Sequence, residues 1–240
     1  MTGLISARDL DWHPPPLAPD YRSSILRSPA NARLHYHPTE TEMTGPTFGH
    51  NMLGALDDNL ILNYANPGEA AIGPRIIVHG KLIDEDRRPL PGKLIEVWQA
   101  NAGGRYRHKK DGYTAPLDPN FGGCGRFISG EDGSYSFQTI QPGPYPWPNG
   151  GNDWRPAHIH FSVFGDGFAQ RLITQMYFEG DPHIALCPIV QSIPSTQAIN
   201  TLVARLDMSN TIPMDIRAYR FDIVLRGRNQ TLFENKMEGS

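Results

Sequence analysis

Cysteine is nearly missing from this chain: Cys124 and Cys187 are the only two among 240 residues. Two cysteines could form one bridge at most, which excludes a disulfide-framed scaffold, and in a cytoplasmic chain of this size they read as two reduced, mostly buried thiols. Charge of one sign is missing too. With 22 basic against 25 acidic residues, a formal net charge of −3 and no dense basic run, nothing marks a nucleic acid or an anionic membrane as partner. No stretch approaches the ~18 uninterrupted apolar residues that a membrane helix needs. The opening MTGLISARDLDWHPPP lacks the apolar centre of a secretory leader, so a soluble cytoplasmic protein is expected. Internal repeats and low-complexity tracts are absent, as is the HExxH motif of zinc hydrolases.

What is present is β-former rhythm. The hydrophobic content of 39% suffices for one sizeable core, and an all-β unit of this length commonly forms one domain. Residues 1–73 are irregular and rich in Pro, Asn and Asp, with a short helix expected within Asn51–Leu62; they read as an extended N-terminal arm over a core or a partner. From Pro74 onward, within a core spanning residues 74–240, short β-rich runs follow: Arg75–Ile83, Leu94–Gln99, Arg126–Ser129, Tyr135–Ile140, His158–Phe164, Arg171–Phe178 and Tyr219–Arg226. Asp132-Gly133 and Asp166-Gly167 supply hairpin turns. The expectation is an all-β, two-sheet β-sandwich with long loops and one or two short helices. One of those helices is expected over Ser195–Asp207, with Ser195 as N-cap and Ala198, Ile199, Leu202, Val203 and Leu206 as its apolar face.

The chemistry concentrates in two tyrosines and a histidine pair: Tyr106 in GGRYRH, Tyr145 in PGPYPW, and His158 with His160 in WRPAHIHF. A free phenol ionises near pH ~10, so phenols beside imidazoles suit a strongly Lewis-acidic ion able to hold them ionised. Ferric iron fits best, since zinc prefers Cys, His and carboxylate, and calcium takes oxygen only. Read alone, each residue also has an ordinary explanation. Alternate histidines on a strand are often structural, half-buried tyrosines are common, and the proline-rich run around Tyr145 could be simply a stiff turn. His35-Tyr36-His37 repeats the H-x-H spacing without a strand pattern and reads as structural or surface.

The wording around the four positions decides more than their spacing. VWQANAGGRYRH, LDPNFGGCGR, PGPYPW, WRPAHIHF and ITQMYFEGDP, with PDYRSSILRSP near the start and AYRFDIVLRG followed by FEN at the end, resemble the intradiol ring-cleaving dioxygenases over almost the whole chain. The resemblance implies a single Fe(III) per chain held by Tyr106, Tyr145, His158 and His160, with Tyr145 the ligand that substrate displaces. It also implies Arg155 beside the substrate, Gln175 positioning Arg155 or a water, and Tyr21, Trp147 and Ile189 shaping the pocket, Tyr21 nearest a ring carboxylate. Trp98 would stand as a wall beside Tyr106. Catechol-specific members carry an added helical N-terminal domain whose pattern is missing from residues 1–73, which points to a carboxylated catechol. The implied reaction is cleavage of 3,4-dihydroxybenzoate by O2 to 3-carboxy-cis,cis-muconate, in a hetero-oligomer with a homologous alpha subunit. The alternatives are the same chemistry on catechol or hydroxyquinol and, outside the class, a zinc hydrolase or a non-catalytic β-sandwich binding module.

Overall fold

The computed structural model describes residues 11–29, 31, 52–165, 171–225 and 231–232; His35-Tyr36-His37, Asp166-Gly167 and the FEN segment lie outside them. Helix α1 (Ser23–Arg27) precedes strands β1 (Arg75–Asp84), β2 (Leu94–Gln99), β3 (Cys124–Ile128), β4 (Ser134–Ile140), β5 (Tyr145–Pro146) and β6 (Trp154–Arg155). Then come β7 (His158–Phe164), β8 (Arg171–Phe178), a 3-10 turn at Ile184–Leu186, helices α2 (Pro188–Gln191) and α3 (Thr196–Asn200), and strands β9 (Val203–Leu206), β10 (Arg217–Arg220) and β11 (Ile223–Leu225). The protein is mostly β with a few short helices.

Nine strands share one hydrogen-bonded path, β11-β1-β10-β9-β8-β7-β2-β3 with β4 on β1, while β5 and β6 pair apart. Strand β9 turns the corner, running parallel to β8 through Tyr177↔Val203 and antiparallel to β10 through Tyr219↔Leu206. No ladder joins β3 to β4 among the described residues. Their rings nevertheless meet across the interior, with Phe127 and Phe137 centred 5.1 Å apart. In place of the two separate sheets expected, one linked sheet curls, nearly barrel-like, around a shared core of Ile76, Val78, Ile95, Val97, Ile159 and Phe161. Each such fully buried side chain contributes about 1.5–3 kcal/mol by leaving water.

Three expectations need correction. The helix expected through Asp207 stops at Asn200. Ser195 does cap it, its Oγ accepting from Ala198 N–H at 3.2 Å. Beyond Thr201, however, the β8 backbone captures the chain: Tyr177 N–H donates to Leu202 O at 2.7 Å and Glu179 N–H to Ala204 O at 3.0 Å. β-Branched Val203 suits the strand it joins. The short helix within Asn51–Leu62 is, from Met52 on, a set of turns with no α-helix, because this backbone bonds β4: Leu60 N–H donates to Gln138 O at 2.8 Å. Leu60 and Ile61 thereby enter the main core. The last expected strand is two, β10 and β11, which follow one another along the same edge of β1.

Strand β7 positions the site. Alternation sends Ile159, Phe161 and Val163 into the core and puts His158 and His160 on the opposite face. Neighbours in register complete that face: Trp98 and Gln175 lie opposite His160, and Tyr177 lies opposite His158.

Candidate metal centre and cavity

Tyr106 reaches the histidines from the loop after β2, and that loop is built to be rigid. Asn101 Oδ1 accepts from Gly103 N–H at 2.9 Å and Arg105 N–H at 3.0 Å, and Asp111 Oδ2 accepts from Tyr106 N–H at 2.8 Å. Gly104 has φ +81°, and a Cβ there would strike the Pro144 carbonyl. Gly143 in turn leaves no room for a Cβ against the Ala102 carbonyl. Only glycines let the two tyrosine loops lie this close. Gly143 N–H closes the contact by donating to Asn101 O at 3.0 Å. Tyr145 itself sits on β5, directly opposite Arg155 of β6.

The donor atoms converge. Tyr106 OH stands 3.3 Å from His158 Nε2 and 3.1 Å from His160 Nε2. The Tyr145 ring lies 5.5 Å from Tyr106, edge to face, and 5.6 Å from His158. His158 Nδ1 sits 2.7 Å from the Pro156 carbonyl, which can only accept. The proton therefore belongs on Nδ1, leaving the Nε2 lone pair directed into the site. His160 is held by Trp98, stacked 4.7 Å away with an interplanar angle of 1°.

Burial and the Arg155 charge set the protonation of the four donors. Burial, then the Arg155 charge, pushes His160 down to about 3, and the same two causes with His160 itself hold His158 well below the ordinary imidazole value. Both rings are therefore neutral ligands. Burial raises both phenols: Tyr106 lies well above its usual value, while for Tyr145 the Arg155 charge partly opposes the rise. A hard, highly charged cation is what would ionise phenols so placed, so this donor set fits Fe(III). Among the described residues no three His, Cys, Asp or Glu cluster, so the pair lacks the carboxylate a zinc hydrolase would need.

Arg155 is only 5% exposed. Its guanidinium bonds Gln175 Oε1 and donates to Tyr177 OH at 3.3 Å, and Tyr177 OH donates to Gln175 Oε1 at 3.0 Å. Arg155 Nε and Trp147 Nε1 are buried donors that find no partner among the described residues. A cavity of about 810 Å³ opens on Arg155, His160, Gln175, Ile189, Tyr21 and Arg27. The arm supplies one wall of it. Tyr21 packs 5.6 Å from Trp147, and the Tyr21 hydroxyl accepts from Arg27 Nη2.

The structure thus brings Tyr106, Tyr145, His158 and His160 together, with Arg155 and Gln175 at their flank. Tyr21, Trp147 and Ile189 stand beside them, and Trp98 packs on His160. Sequence reasoning missed Tyr177, Arg27 and Asn149. Strand periodicity could have found Tyr177, two residues beyond Gln175; nothing local marks the other two.

A family model described as Dioxygenase matches residues 43–227, and one described as Protocatechuate 3,4-dioxygenase beta subunit N terminal matches residues 6–34. The chain belongs to the intradiol ring-cleaving dioxygenase family. Within it, the chain is 47% identical to the protocatechuate 3,4-dioxygenase beta chain of Burkholderia cepacia over 96% of its own length and 97% of that relative. It is 31% identical to the protocatechuate 3,4-dioxygenase alpha chain of Pseudomonas putida over 68% of this chain and 77% of that one. Among solved structures, mercury-inhibited catechol 1,2-dioxygenase of Acinetobacter sp. ADP1 superposes with a TM-score of 0.52 at 26% identity, covering 70% of this chain and 56% of that one.

Proposed function

We propose that the chain is the iron-bearing subunit of an intradiol dioxygenase that opens 3,4-dihydroxybenzoate with O2 to 3-carboxy-cis,cis-muconate. The observation that carries the reading is the meeting of Tyr106 OH with both histidine Nε2 atoms, within 3.3 Å, beside the Tyr145 ring. Tyr106, Tyr145, His158 and His160 would hold Fe(III). When bound, Fe(III) supplies the Lewis acidity that keeps both phenols ionised and draws electron density out of a catecholate ring.

The remaining work falls to the side chains. Of the two protons that a catechol binding through both oxygens loses, the Tyr145 phenolate would accept one and a solvent hydroxide in the site the other. Arg155, fixed by Gln175 and Tyr177, sets a buried positive charge beside the reacting ring; such preorganised charge contributes several kcal/mol, about 3–4 in comparable electrostatic roles. Because Arg27 occupies an acceptor site on the Tyr21 hydroxyl, that hydroxyl keeps its own proton to donate. Tyr21 and Arg27 together then suit a ring carboxylate. Both atoms of O2 end in the two new carboxyl groups of the product. Residues 1–73 would serve as the interface segment and 74–240 as the ring-cleaving core of a cytoplasmic hetero-oligomer with a homologous alpha subunit. Among the described residues no helix is long and apolar enough to cross a membrane.

The test is iron analysis with visible and resonance Raman spectra of purified protein, then product identification. Tyrosinate-to-iron charge transfer and the muconate are expected; an iron-loaded protein without tyrosinate modes, or a ring-opened semialdehyde, overturns the reading. Tyr21→Phe should lower kcat/KM for the acid by about tenfold, while catechol changes little.

A further inference from the structure

One buried amide ties the cavity wall to the hairpin that carries Tyr145 and Arg155. Asn149 lies in the turn between β5 and β6 and is 4% exposed. Its Oδ1 accepts from Arg22 N–H at 2.8 Å, and its Nδ2 donates to Asp20 O at 2.7 Å and to Asp153 Oδ2 at 2.8 Å. Asp20 and Arg22 flank Tyr21, so a single amide grips the backbone on both sides of that residue. On the other side Asp153 leads into β6, where Arg155 pairs with Tyr145, and Asp153 O accepts from Trp147 N–H at 3.1 Å. Among the described residues, the other side-chain bonds of residues 16–28 are internal. Ser24 Oγ bonds Ala18 O at 2.7 Å and Ser28 Oγ bonds Pro16 O at 2.6 Å, which fix the arm's shape but not its seat.

We propose that Asn149 is a positioning residue for substrate selection, holding Tyr21 at a set distance from Tyr145 and Arg155. This rests on the function proposed above. A ring carboxylate read at Tyr21 and a catechol proton taken at Tyr145 belong to one rigid ligand, so the two walls must keep one spacing for both to engage. An error of about 1 Å in such a constellation costs up to roughly a hundredfold. Catechol has no carboxylate and is indifferent to where Tyr21 stands. Asn149 therefore governs discrimination between the two rings and leaves the chemistry common to both untouched.

The test uses the full chain, iron-loaded and assembled with its homologous partner, as wild type, Asn149→Ala, Asp153→Ala, Tyr21→Phe and Asn149→Ala/Tyr21→Phe. Iron content, kcat and KM on 3,4-dihydroxybenzoate and catechol, and hydrogen exchange of residues 18–29 are measured. Expected for Asn149→Ala are full iron content, faster exchange in the arm, and catechol turnover within about twofold. The loss of kcat/KM on the acid should reach about tenfold or more, carried by KM. Tyr21→Phe should add little in that background, since the wall it acts through has already moved. Asp153→Ala keeps the arm bonds and cuts the hairpin bond, so it should share the selective loss; it also serves if Asn149→Ala does not fold. Equal losses on both rings, or full additivity with Tyr21→Phe, overturn the proposal. Were the wild type inactive on both rings, the proposed function would fall. Calorimetric binding of 3,4-dihydroxybenzoate and catechol to the same variants would then decide the role of Asn149 separately.

Discussion

At the scale of single residues, the four proposed ligands differ in how they are held, and their replacements should differ accordingly. Tyr106 sits between both Nε2 atoms on a loop pinned by Asn101 and Asp111, whereas Tyr145 rides a two-residue strand at the edge. Tyr106→Phe should lose most of the iron and the colour. Tyr145→Phe should retain iron on the other three and slow catecholate binding, which stopped-flow absorbance would resolve; wild-type association rates in Tyr145→Phe would remove it as the proton acceptor. The histidines make a pH prediction for iron-free protein. His160 is held down to about 3 from its ordinary 6.5, so below pH 6.5 the unfolded chain binds a proton that the folded chain refuses. Stability is therefore complete above that pH and falls as pH drops toward the folded value, by up to about 1.4 kcal/mol per pH unit for each such histidine. Urea midpoints between pH 7 and 4 should show the slope, and His160→Asn should flatten part of it.

At the scale of elements, legibility followed strand-forming composition. The bounds of β2, β7 and β8 could be read directly, because each is an unbroken run rich in β-branched, aromatic and apolar residues. The Ser195–Asp207 segment misled because Ala198 and Leu202 are spaced for a helix and are indeed buried, in a secondary cluster with Tyr177 and Ile189. What ended the helix was a hydrogen-bonding offer from β8, distant in sequence and invisible locally. β5 and β6 were too short to have any periodicity; only the string PGPYPW, never spacing, pointed at Tyr145. Arg155 and Gln175 were legible through wording, whereas Arg27 and Asn149 act through partners more than a hundred residues away or through a cavity, which no local pattern encodes. The glycine zipper between the tyrosine loops gives the prediction for this scale. Gly104→Ala adds a Cβ at positive φ against the Pro144 carbonyl, and should destabilise by about 1–3 kcal/mol while splaying Tyr106 from Tyr145. Denaturant midpoints and iron retention check it, and a stable variant with full iron would contradict the zipper.

At the scale of the whole molecule, the linked nine-stranded sheet holds the two histidines, a loop and the separate β5–β6 hairpin bring the two tyrosines to them, and the arm supplies one wall of the cavity. A chain beginning after residue 31 should keep its iron and its charge-transfer band, because none of the four proposed ligands lies in the arm. Its preference for the carboxylated ring over catechol should shrink toward unity, measured as the ratio of kcat/KM values. Loss of iron in that truncation would tie the arm to the metal rather than to selection.

The alternation of β7 has a further consequence for how such a protein can diverge. Its core face and its imidazole face share one pleat, so inserting or deleting a single residue would rotate Ile159 and Phe161 toward the cavity and both histidines into hydrocarbon. Drift in length is therefore barred from that strand, while in the arm and the turn around Asn149 it would change which ring is accepted and leave the imidazole face in place. Lineages descended from this architecture are free to exchange the ring they accept, and are bound to inherit the atoms that break it.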